Sequence, residues 1–145
     1  MVGLDALVLL VPALPLLGAV LIGTLRKRLS AGLAGALATT LLAAAFACSV
    51  ILFLSEHTEL GGRTVRLFDW IHVQDMMVPF AFRIDALSLT MMMLVTGVGT
   101  LIHLYSIGYM HADERASTFF AQLNLFSFAM LLLVMGSNLL ITFIG

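Results

Sequence analysis

From Ala86 to Ile102 the chain runs without a charged residue or a proline. With the turn that follows, this reaches the roughly 20 residues a helix needs to cross a hydrocarbon core about 30 Å thick. The run is therefore read as a membrane span covering Ala86 to Tyr109. Asp85 stands immediately before it, placed so that its carboxylate can accept hydrogen bonds from the free N–H groups of the first turn, and Arg83 keeps the approach in water. Inside the run, Ser88, Thr96, Thr100, His103 and Ser106 fall mostly three or four residues apart, which puts them on one side of a helix. That side is expected to face protein rather than lipid.

Three further apolar runs have the same character. Ala6 to Leu25 is followed by Arg26, Lys27 and Arg28; a secretory signal would carry its positive charge before the apolar core, so this run reads as a retained span. Pro12 and Pro15 inside it free carbonyls of the preceding turn, which calls for protein neighbours. Leu33 to Leu54 is the second span, with Gly32, Gly35, Ala36, Ala38 and Thr39 in or beside its first half. Such small residues either let another helix approach closely or merely fill an apolar helix. Phe119 to Met135 is the fourth span, with Gln122, Asn124 and Ser127 near its inner end. Gly136 to Asn138 make a turn, and Leu139 to Gly145 begins a fifth apolar segment, only about 10 Å long at 1.5 Å per residue. The chain is expected to stop inside that helix.

The polar stretch between the second and third spans has a different period. Thr64 to Val73 is rich in β-branched and aromatic residues, and in Val78 to Ile84 the residues Val78, Phe80, Phe82 and Ile84 alternate with Pro79, Ala81 and Arg83. Gly61-Gly62 breaks the chain before it, and Gln74 to Met77 can turn. A short β-hairpin over residues 64–84 is expected, with Pro79 at an edge or strand start. The fold class is an all-α integral membrane protein, four transmembrane helices plus a truncated fifth, carrying that hairpin between helices two and three. Arg26, Lys27, Arg28 and Arg115 fall at one end, and Arg63, Arg66 and Arg83 at the other. The compact first cluster places the N-terminus and the hairpin outside and the Arg26–Arg28 turn in the cytoplasm.

Only 10% of the residues are charged and mean hydropathy is +1.12, whereas a soluble domain carries roughly 25% charged residues. Net charge is -1 and no long basic patch exists, so nucleic acid is not a partner. The single Cys48 excludes an internal disulfide, a cysteine-held iron–sulfur cluster and a cysteine-rich zinc site within this chain. His57, His72 and His111 fall in loops, so haem between two in-membrane histidines is unsupported. No catalytic, cofactor-binding or metal residue can be assigned.

The strings LVTGVGTLIHLYSIGY (Leu94 to Tyr109), FFAQLNL (Phe119 to Leu125) and NLLITFIG (Asn138 to Gly145), taken with the span order and outer hairpin, carry a family likeness. The chain resembles the N-terminal part of subunit L of respiratory complex I, the proton-translocating NADH:quinone oxidoreductase, whose mitochondrial counterpart is subunit five. The related large subunit of Mrp-type cation/proton antiporters shares the pattern. The resemblance implies a longer, multi-pass subunit of the bacterial inner (plasma) membrane, with the remainder of the same subunit, other membrane subunits and lipid as its partners. It implies that NADH, FMN, iron–sulfur clusters and quinone belong to partner subunits, and that the glutamate and lysines of the proton path lie on positions absent from this sequence. The alternatives are a subunit of a cation/proton antiporter complex and a truncated, non-transporting membrane scaffold.

Among the residues present, His103 is the ionisable group within a span. It suits either a proton relay or a hydrogen bond across helices, with the second favoured. Asn124, Gln122 and Thr100 read the same way, as lining of a proton path or as interhelical polar contacts. Asp85 reads as a helix cap in preference to an outer proton exit. The charged residues fall outside the four apolar runs, so the stretch is expected not to move ions by itself.

Overall fold

The computed structural model describes residues 2–56, 62–73 and 76–145. His57, Gly61 and the turn residue Gln74 lie outside the described residues. Four helices are long and apolar enough to cross a bilayer: α1 (Val2–Leu25), α2 (Ala31–Glu56), α3 (Ala86–Tyr109) and α4 (Ala116–Met135). Between α2 and α3 lies an antiparallel pair, β1 (Arg63–Val73) and β2 (Met76–Ile84), and a six-residue α5 (Leu139–Ile144) follows α4. Each long helix rises about 30 to 40 Å at 1.5 Å per residue, enough for the hydrocarbon core.

Helix α1 continues through Pro12 and Pro15. The missing N–H groups leave the carbonyls of Val8 and Val11 without a helical donor, and both residues are fully buried in the bundle. Asp5, one residue before the run Ala6 to Leu25, sits in the first turn of α1 and reaches Arg63 of β1 at 3.1 Å. An interfacial turn tolerates the carboxylate because its partner is there.

Small residues set the helix spacing. Ala34, Gly35 and Ala38 of α2 are buried, and a methyl group on Gly35 would stand 2.8 Å from Ile107 of α3 and 3.0 Å from the Phe120 ring of α4. In the other direction, Phe46 and Leu42 of α2 press onto Gly97 and Gly99 of α3, where a methyl would meet each at 2.9 Å. Gly32 and Ala36 face outward instead, so only part of the small-residue run is an interface.

The hairpin closes one end of the bundle. Its register pairs Arg63 with Ile84 and Val73 with Met76, with irregularities between Arg66 and Phe68 and between Asp69 and Ile71. Met76 and Met77 are therefore strand rather than turn, and His72 lies in β1 rather than in a loop. Pro79 stands opposite Asp69, and its carbonyl, pointing away from β1, accepts from Asn138 Nδ2 at 2.9 Å. On the same edge Ala81 O accepts from Ser137 N at 3.2 Å, and Phe82 bridges Gly136. The free edge of β2 is thus covered by the turn after α4, which buries Ala81 beside Phe82 and Ile84. Phe68 and Phe80 stack outward at 5.2 Å, and Trp70 meets Phe80 edge-on.

The packing argument is testable by two alanines in one helix. Gly35→Ala must displace Ile107 and Phe120 and is expected to lower unfolding stability in micelles by about 1–3 kcal/mol. Gly32→Ala has nothing within 4 Å of the new methyl and is expected to be neutral or to stabilise by up to about 1 kcal/mol through helix propensity alone.

Candidate functional site

The buried polar groups of α3 are satisfied mostly within their own helix. Thr96 donates to Met92 O at 2.6 Å, Thr100 to Thr96 O at 2.7 Å and Ser106 to Ile102 O at 2.7 Å. These hydroxyls need no partner across the bundle. Thr100 is half-buried, and its hydroxyl is spent on its own helix.

His103 is different. It is 1% exposed, and its Nδ1 lies 2.8 Å from Gly99 O. A carbonyl only accepts, so Nδ1 carries a proton. The other nitrogen, Nε2, points across to α4 and lies 3.1 Å from Oδ1 of Asn124, which is 0% exposed. The Phe120 ring flanks the imidazole with centroids 6.4 Å apart. Beyond Asn124 is Gly18 of α1, whose lack of a side chain makes the space that the Asn124 carboxamide occupies. Asn124 Nδ2, turned to that side, has no hydrogen-bond partner among the described residues. The pair therefore links α3 and α4, with α1 as its floor.

On its outer flank the histidine borders a groove of about 180 Å³ between α3 and α4, lined by Val98, Ile102, Leu123 and Phe126 among others. The lining is apolar, so this opening leads to hydrocarbon. Gln122, two residues before Asn124, faces outward beside Arg26 and Thr118 and takes no part in the junction. Gly18 was not singled out from sequence; a lone glycine in an apolar helix carries too weak a signal.

Asp85 lies 18 residues from His103 along α3, about 27 Å away, and forms a separate cluster. Its carboxylate accepts from Ser88 N at 2.8 Å while the Ser88 hydroxyl serves Asp85 N at 2.8 Å, a reciprocal pair at the helix start. Arg83 Nε is 3.1 Å from the second carboxylate oxygen. The Ser88 backbone N–H is the main reason that Asp85 ionises below the ordinary aspartate value. Burial opposes that effect, and the Ser88 hydroxyl and the Arg83 guanidinium add to it. No group of three or more His, Cys, Asp or Glu residues able to hold a metal occurs among the described residues.

Comparison with known proteins gives the family context of this geometry. A family model described as the N-terminus of NADH-ubiquinone oxidoreductase (complex I) chain 5 matches residues 70–120, which include Asp85 and His103. The chain is similar to NADH-quinone oxidoreductase subunit L of Pseudomonas aeruginosa, 39% identical over 136 residues, covering 90% of this chain and 22% of that protein. It is similar to subunit L of Rickettsia bellii, 34% identical over 142 residues, covering 97% of this chain and 22% of that one. A third relative is NADH-ubiquinone oxidoreductase chain 5 of Allomyces macrogynus, 45% identical over 87 residues, 60% of this chain and 14% of the relative. The chain thus spans about a fifth, or less, of the length of these relatives.

The cap generates a pH prediction. Asp85→Ala is expected to lower stability by about 1 kcal/mol at neutral pH. Because the folded carboxyl ionises below its ordinary value of 3.8, its contribution is complete above that value and is lost as pH falls through the lower, folded one. Unfolding curves of the parent and of Asp85→Ala should therefore converge as the medium is acidified below about pH 4, where Asp85 starts to take up its proton.

Proposed function

We propose that the chain belongs, through the N-terminal region matched at residues 70–120, to the family of complex I chain 5 and subunit L proteins, and that it serves as a membrane portion of a proton-translocating NADH:quinone oxidoreductase. In this reading the 145 residues act as one membrane domain, supplying peripheral helices and an outer ribbon that dock the antiporter-like module. NADH, flavin, iron–sulfur clusters and quinone are handled by other subunits. What supports the reading most is the similarity to two subunit L proteins over 90% and 97% of the chain. A charge distribution confined to the ends of the helices is in keeping with a structural share of the work, because moving an ion through lipid requires titratable groups inside it.

The interhelical role of His103 and Asn124 belongs to the same proposal: their hydrogen bond fixes α3 against α4, and the Asp85 cap fixes where α3 begins. In the proposed orientation, α1's N-terminus, the hairpin and the turn before α5 face outward. The Arg26–Arg28 turn and the 110–115 loop face the cytoplasm of a bacterial inner membrane. Support for this comes from the compact Arg26, Lys27, Arg28 cluster.

Two measurements test these statements. An affinity-tagged chain, purified from its native membrane, should bring with it subunits carrying flavin and iron–sulfur clusters; recovery with cation/proton antiporter subunits alone would overturn the redox assignment. In a Cys48→Ala background, Thr64→Cys should react with a membrane-impermeant maleimide in intact spheroplasts, and Lys27→Cys only after permeabilisation. The reverse pattern would invert the topology.

A further inference from the structure

The hydrogen-bonding atoms around His103 do not match a neutral ring in the arrangement observed. Nδ1 must donate to Gly99 O, and a neutral imidazole then has only a lone pair at Nε2. That lone pair faces Asn124 Oδ1, which also only accepts, while both hydrogens of Asn124 Nδ2 point where no partner stands among the described residues. Two acceptors face each other and a buried donor is idle. Each defect alone is unfavourable in a dry interior, where no water makes good the missing bond.

The contact between the two acceptors has a remedy in either charge state, while the end of the carboxamide turned to Gly18 keeps no partner in both. With a proton on each ring nitrogen, Nε2 donates to Oδ1 and the observed orientation is correct. With a single proton, on Nδ1, a half-turn of the carboxamide brings Nδ2 to Nε2 and the amide becomes the donor. The two ends of a carboxamide have nearly the same shape, so the turn needs no repacking beyond room for the group to rotate. Gly18 leaves the carboxamide its place: any side chain carbon there would overlap Nδ2 and press on Leu41 at 3.1 Å.

We propose that His103 and Asn124 together form a proton-binding site in which the Asn124 carboxamide rotates as Nε2 gains or loses its proton. The bound species is a proton taken from water: an N–H bond forms at Nε2 from the ring's lone pair, one O–H bond of a hydronium ion breaks, and water is left behind. No other ligand is required. The site lies six residues from the C-terminal end of α3, about 9 Å along the helix, so the aqueous boundary on that side is near. Among the described helices no competing charge faces it. Helix α4 carries no titratable residue; in α1 the charged residue is Asp5, at the far end; in α2 the titratable residues are Cys48 and the terminal Glu56, both displaced toward the hairpin end. On α3 itself, Tyr105 and Tyr109 stack on each other on the exposed face and point away. The proposal stands on this geometry and does not depend on the complex to which the chain belongs.

The test uses the full chain in lipid nanodiscs, labelled with ¹⁵N, with His57, His72 and His111 changed to Gln so that one imidazole reports. From about pH 8 to about pH 4, a range that spans the ordinary histidine midpoint of about 6.5, the ring is expected to pass from one protonated nitrogen, Nδ1, to two. The Asn124 side-chain amide signals should shift with the same midpoint. If the carboxamide signals stay fixed while the ring titrates, the rotation is refuted; if the ring keeps one proton throughout, the site is refuted. Asn124→Asp supplies, when ionised, a partner that accepts in either orientation and cannot donate. It should raise the doubly protonated fraction at neutral pH about tenfold or more, and an unchanged fraction would overturn the pairing.

Discussion

In hydrocarbon there is no water to complete a hydrogen bond, so a polar atom between the ends of these helices is costly unless it finds its partner inside the protein. That constraint accounts for most of what distinguishes this bundle from four greasy rods. Hydroxyls along α3 fold back onto the carbonyl four residues earlier and so ask nothing of their neighbours. The carbonyls that the two prolines of α1 leave open belong to residues enclosed by other helices, out of contact with lipid. The polar bond between the described spans α3 and α4, which joins His103 and Asn124, is correspondingly specific: it fixes the rotation of the two helices about their axes, which apolar contacts between smooth helices do not.

Packing supplies what the hydrophobic effect does not between helices that are equally apolar on all sides. Gly35 on α2 and Gly97 and Gly99 on α3 create hollows that receive Ile107, Phe120, Phe46 and Leu42. The same device, used at Gly18, makes space for a polar side chain instead of an apolar one. One bundle thus uses glycine both to bring backbones together and to give a carboxamide somewhere to lie.

Much of the fold was legible because the relevant signals are local. Runs of some twenty apolar residues can do little but span, and the alternation from Val78 to Ile84 can do little but form a strand. Side was harder to read than existence. Gln122 and Asn124 are two residues apart, about 200° around a helix, and on paper both were polar residues near the inner end of a span. Only the opposing surfaces, Gly18 and His103 for one and open surroundings for the other, decide which of them enters the core. For the same reason Ala36 and Gly32 looked like interface but face outward. A helix apolar all round has no amphipathic face to betray its orientation. The strand bonds of the hairpin followed from pattern, whereas its attachment to the turn after α4 rests on Ser137 and Asn138, residues nearly sixty positions away.

That attachment has a consequence for the order in which the chain is put together. Asp5 cannot meet Arg63 until two crossings have been made, and Asn138 cannot reach Pro79 until four have. During synthesis the ribbon must therefore wait at its face of the bilayer with one flank unlatched while α3 and α4 are threaded. Its outer edge is shut by the emergence of the 136–138 turn, so the clasp registers in a single contact that the preceding helices have all arrived on their proper sides.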